Sequence, residues 1–167
     1  MQTQPGNEEL AKKTVRLTSV MTGSIYSGFG ILAWFMVLLQ KGMMPYMLDD
    51  PDVDENFIRL MSTLHKTWET YMPLLILLGL TYIGFGLLLN KMRHRSFGIF
   101  LIIVILTLGW LAGYLIRTLQ YPDLFMSTDQ GSSDPVAMVF TGIGTLFMLA
   151  FFTVPQFVIA RKLRKLG

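Results

Sequence analysis

Four long apolar stretches without a single charge, at 18–39, 71–90, 97–116 and 136–160, constrain this chain more than any other feature. Each is close to the ~20 residues a helix needs to cross the hydrocarbon of a bilayer. In lipid every backbone amide must find its partner within its own segment, so four separate spans imply four helices and not a sheet. The expected fold is an all-α integral membrane protein, an antiparallel four-helix transmembrane bundle forming a single membrane domain over 1–167.

With 52% of its residues hydrophobic and 15% charged, the chain has little left over for a separate soluble domain. Charge placement sets a direction. Lys12, Lys13 and Arg16 precede the first span, Lys91, Arg93 and Arg95 join the second to the third, and Arg161, Lys162, Arg164 and Lys165 follow the fourth. The positive-inside rule makes that side cytoplasmic, with both termini inside and the connections 41–70 and 117–135 outside. Asp49, Asp50, Asp52, Asp54, Glu55, Glu69, Asp123, Asp129 and Asp134 gather on the outer side, so the basic surplus is a lipid-headgroup signal and not a nucleic-acid one. Short loops and this charge pattern suit a bacterial inner membrane. The first span lacks a small-residue cleavage site and reads as an uncleaved anchor.

The chain has no cysteine, which excludes disulfides, thiolate metal sites and thiol catalysis. Between the first two spans, Pro51 suits a first helical position and Asp52, Asp54 and Glu55 favour a helix N-terminus. Phe57, Leu60, Met61, Leu64 and Trp68 then recur at helical spacing, predicting an amphipathic outer helix over 51–68. The alternating Asp50, Asp52 and Asp54 resemble the start of a calcium loop, but the glycine at the sixth place is missing and Met61 stands at the twelfth. The connection from Tyr121 to Pro135 is rich in turn formers, with Ser133 or Asp134 leading into the last span.

Paired glycines recur at Gly28 and Gly30, Gly84 and Gly86, and Gly142 and Gly144, with Gly23 four before Ser27 and Gly109 four before Gly113. Such small residues let membrane helices approach closely, so these faces should be packed. Pro73 opens the second span, and Pro155 predicts a kink near Phe151 and Phe152.

No Asp, Glu, Lys, Arg or His lies centrally in any span, which argues against proton-coupled transport within one protomer. His65 and His94 fall on opposite sides of the membrane and cannot share a haem or a metal in one protomer. The most suggestive group is at the outer end of the bundle: Trp110, Tyr114 and Arg117 at i, i+4 and i+7, with Glu69 and Tyr71 at the same depth and Trp34 near the outer end of the first span. These six are the candidate ligand-binding residues, with aromatic walls for an apolar ligand and Arg117 for a carboxylate or phosphate. The competing reading is an aromatic belt, with Arg117 snorkelling to the interface or paired with Glu69. A metal reading has only Met43, Met44, Met47, Met61 and His65 to offer Cu(I); methionine is equally an adaptable filler at membrane surfaces.

No nucleophile elbow, H-E-x-x-H or P-loop occurs, and no enzyme activity or cofactor is expected. The expected function is binding: an accessory subunit of a membrane complex, or a receptor for a lipid-like ligand at the outer face. The expected partners are membrane lipids, further copies of the chain or other membrane subunits, and not nucleic acid. The alternative is a homo-oligomeric channel or small-solute transporter lined by Ser24, Ser27, Thr81, Thr107, Thr141 and Thr145.

Overall fold

The computed structural model describes residues 5–48, 55–92, 95–119 and 135–164. Among these the chain is all-helical: α1 is Pro5–Leu48, α2 Glu55–Leu88, α3 Ser96–Leu119 and α4 Pro135–Leu163, with one 3₁₀ turn, Leu89–Met92, closing α2. The acidic run at Asp50, Asp52 and Asp54, the turn-rich connection with Ser133 and Asp134, and His94 lie outside the described residues. So do the side chains of Met47, Phe57, Leu60 and Thr141.

All four helices are long and apolar enough to cross a membrane. Their surfaces fit that reading, since Phe147 is 70% exposed, Leu146 67% and Leu32 62%. Water would penalise so much bare apolar surface, whereas lipid tails are as apolar as these side chains.

α1 has 44 residues and so a length of about 66 Å, roughly twice the hydrocarbon thickness. Apolarity marks only what lipid covers, and the helix continues past 18–39 at both ends. Pro5 occupies the first helical position, where its missing N–H costs nothing, and Lys12 pairs with Glu8 one turn back at 2.7 Å.

The second helix departs from expectation. In place of an amphipathic helix over 51–68 followed by a separate span, one helix runs from Glu55 to Leu88 through Pro73. Residues 66–72 contain no glycine that would break it, and the hydroxyls of Thr67 and Thr70 donate to the carbonyls of Thr63 and Lys66 one turn back. Pro73 removes one backbone donor, but a break beside the hydrocarbon would strand several amides and carbonyls at once.

The core begins at the α1–α2 seam. Buried positions on α1 are Ala11, Val15, Ser19, Thr22, Gly23, Tyr26, Ser27, Gly30, Ala33 and Val37, a stripe recurring every three or four residues and mostly small. A Cβ at Gly23 would strike the Gly79 carbonyl, one at Gly30 would come within 2.7 Å of Ile76, and one at Gly86 within 3.0 Å of the Arg16 carbonyl. As numbers rise along α1 they fall along α2, so the pair runs in opposite directions with backbones nearly touching. Gly109 and Gly28, by contrast, are exposed with open space around them; of the expected small-residue faces, the one at Gly23 and Ser27 is packed against α2 while Gly109 is not.

α3 returns along α2 after a short turn, with Arg95 N–H donating to the Met92 carbonyl at 2.8 Å and Phe85 meeting Phe100. α4 contributes Phe152, Gln156, Ile159 and Leu163, spaced by four, three and four on one buried face. Pro155 lacks the N–H that would serve the Phe151 carbonyl four residues back. The Tyr26 hydroxyl of α1 donates to that carbonyl at 3.4 Å. Tyr26→Phe is therefore expected to cost about 1 kcal/mol of stability in detergent unfolding. In a Pro155→Ala background, where the helical donor returns, the same change should cost less than half as much. Equal cost in both backgrounds would show that the phenol does not compensate for the proline.

Candidate functional site

The rings of Tyr71, Trp110 and Tyr114 meet where α2 enters the apolar region and α3 leaves it. Trp110 and Tyr114 are one turn apart on α3 and lie stacked, 5.5 Å between centroids and 8° between planes. Tyr71 of α2 presents its edge to both, at 5.7 Å from Tyr114 and 6.4 Å from Trp110. Edge-to-face contact places the positive rim of one ring on the negative face of the next. Gly113 makes room for this, since a Cβ there would stand 3.2 Å from the Tyr71 hydroxyl oxygen.

The indole N–H of Trp110 donates to the Tyr71 carbonyl at 2.8 Å, locking α3 to α2. Trp110 is buried and rests on Phe152 of α4 at 5.0 Å, while Phe152 rests on Tyr26 of α1 at 4.7 Å and Tyr26 on Tyr82 at 5.7 Å. A continuous aromatic file thus runs from the end of the bundle to its centre and touches all four helices. Tyr71 and Tyr114, at its end, are only half-buried. Arg117, three residues beyond Tyr114, is half-buried and not without a partner.

Of the six candidate residues, then, three form one cluster with Arg117 close by in sequence. Glu69 lies apart from the rings because residues two apart on a helix face different ways. Its carboxylate is exposed and approaches Lys41 of α1 at 4.0 Å and His65 at 3.9 Å. Trp34 is 41% exposed on α1, one turn from Gly30 at the flank of the seam, and takes no part in the cluster.

The methionine group is less compact. Met61 and His65 are half-buried and one turn apart on α2, and Met43 is exposed on α1. Gly42, beside Met43, is exposed, with nothing within 4 Å of a Cβ placed there. Among the described residues no three His, Asp or Glu side chains gather as a metal site.

The hydroxyls considered as a pore lining divide. Ser27 is buried and donates to the Ile76 carbonyl across the seam, Thr107 is buried and donates to the Ile103 carbonyl, and Ser24 and Thr81 are exposed. Among the described residues, these four do not share one face within the protomer.

Sequence reasoning passed over a buried polar group deeper in the bundle. Tyr82 of α2 and Thr107 of α3 lie 3.4 Å apart, oxygen to oxygen, and the buried Gln156 of α4 lies beside Tyr82. The available signal was the spacing of Phe152, Gln156, Ile159 and Leu163, which sets the amide on an otherwise apolar stripe. Compared with models of known families, with curated proteins and with solved structures, the chain matches none, and its site is defined by its own geometry.

Proposed function

We propose that the protein is a non-enzymatic multi-pass membrane protein that acts by binding, as a receptor for a lipid-like ligand at its outer face. The observation that carries this reading is the ring cluster of Tyr71, Trp110 and Tyr114, half-open at its end and followed one turn on by Arg117. Aromatic faces suit acyl or ring portions of a ligand, and a guanidinium suits a phosphate or carboxylate headgroup. In this reading the four helices form an antiparallel bundle in a bacterial inner membrane, with both termini cytoplasmic and the start of α2 projecting on the outer side. Lipids are the first partners, and other membrane subunits or further copies of the chain can cover its exposed apolar faces.

The test is native mass spectrometry of the protein extracted gently from its membrane. A defined lipid should remain bound, and Arg117→Gln should reduce its retention by about tenfold, the scale of one charge-assisted headgroup bond. A bare protomer with no lipid and no partner, and no thermal shift on adding anionic lipid, would overturn the reading. The channel reading is favoured by the exposure of Ser24 on α1 and Thr81 on α2, and it predicts solute flux in proteoliposomes that Ser24→Leu abolishes.

A further inference from the structure

The buried polar group formed by Tyr82, Thr107 and Gln156 holds more hydrogen-bonding capacity than it can satisfy internally. Tyr82 and Thr107 are wholly buried and Gln156 is 6% exposed. The Thr107 hydroxyl gives its proton to the Ile103 carbonyl at 2.8 Å, so its oxygen can only accept from Tyr82. Tyr82 gives its one proton to Thr107, so towards Gln156, which lies beside it, its oxygen can act only as an acceptor. The Gln156 Nε2 finds no partner among the described residues. Turning the amide over would exchange which end meets Tyr82 and leave the other end over.

A second unsatisfied group stands nearby. Ser19 of α1 is wholly buried and its hydroxyl has no partner among the described residues, although a helical serine can donate to the carbonyl four residues back. Its Cβ lies 3.1 Å from where a Cβ on Gly86 would be, one turn along α2 from Tyr82. Buried polar groups in native proteins are nearly always paired, and the penalty for leaving them unpaired is larger in hydrocarbon than at a wet surface.

We propose that this interior is a binding site for a hydroxyl group, held by the Gln156 amide and supplied either by an ordered water or by the alcohol of an apolar ligand. A hydroxyl both donates and accepts, so it satisfies whichever end of the amide is left over. An ion does not fit, because no charged side chain is buried among the described residues.

The experiment is a pair of comparisons by thermal unfolding in detergent. In a Tyr82→Phe background the amide loses its phenolic neighbour, and Gln156→Leu is then expected to lower Tm by several degrees, because the bond to the occupant is lost. An unchanged or raised Tm is the result for an unsatisfied amide removed from an apolar interior, and would overturn the proposal. Should either variant fail to fold, the wild-type protein decides. Density within hydrogen-bonding distance of Gln156 together with a mass adduct identifies an alcohol ligand, and the same density without an adduct identifies water. No density at Gln156, with or without an adduct bound elsewhere, would overturn the proposal.

Discussion

Gly79→Leu is expected to separate α1 from α2, at a cost of about 3 kcal/mol, the upper end of what overpacking usually incurs. A Cβ at Gly79 would stand 2.6 Å from the Gly23 carbonyl oxygen and 2.6 Å from the Ser27 amide nitrogen, and closer still to the Ser27 hydroxyl. Two of those atoms are backbone, so no rotamer change relieves the clash. The helices must move apart, and the Ser27 bond to the Ile76 carbonyl at 3.3 Å would go with them. Gly84 supplies the control, because a Cβ there meets nothing within 4 Å. Gly84→Ala should be neutral or raise stability by up to about 1 kcal/mol through helix propensity. Unfolding by denaturing detergent reads both; equal effects at the two positions would contradict the seam.

Trp110→Ala should cost about 3–5 kcal/mol, the range for removing a large buried aromatic. Trp110 touches Tyr71, Tyr114 and Phe152, and so joins α3 to both α2 and α4. Its loss also removes the N–H that holds the Tyr71 carbonyl. Trp110→Phe keeps most of the ring contact and removes the hydrogen bond, for an expected loss of about 1 kcal/mol. If Trp110 were a belt residue facing lipid, Trp110→Ala would change stability by only a few tenths of a kcal/mol. The same variant should lose bound lipid even at temperatures where it is folded, since Tyr114 then has no ring to stack on.

The four helices were legible in the sequence because uncharged runs of this length have few other outcomes. Their ends were not, because hydropathy is silent where a helix leaves the lipid: α1 reaches from Pro5 to Leu48, and α2 absorbs the segment expected as a separate helix. Within the candidate site, Trp110 and Tyr114 could be placed on one face by their spacing, and Tyr71 by its depth. Glu69 and Trp34 were assigned by depth alone, and depth does not fix which way a helical side chain faces. The roles of Tyr26 and Gln156 depend on which helix packs against which, and no single segment carries that information. Tyr26 donates to the carbonyl that Pro155, far along the chain, leaves without its helical donor, and Gln156 of α4 lies beside Tyr82 of α2.

The account rests on four crossings with the basic ends on one side, and the absence of cysteine makes this directly measurable. Single cysteines placed by Gly6→Cys, Tyr46→Cys, Arg95→Cys and Ser132→Cys can be labelled with a membrane-impermeant maleimide in sealed, right-side-out vesicles. The predicted result is labelling at 46 and 132 only, with 6 and 95 reacting once the membrane is opened. Labelling of 6 or 95 in intact vesicles alongside 46 would contradict the crossing pattern, and with it the placement of the ring cluster on the outer face.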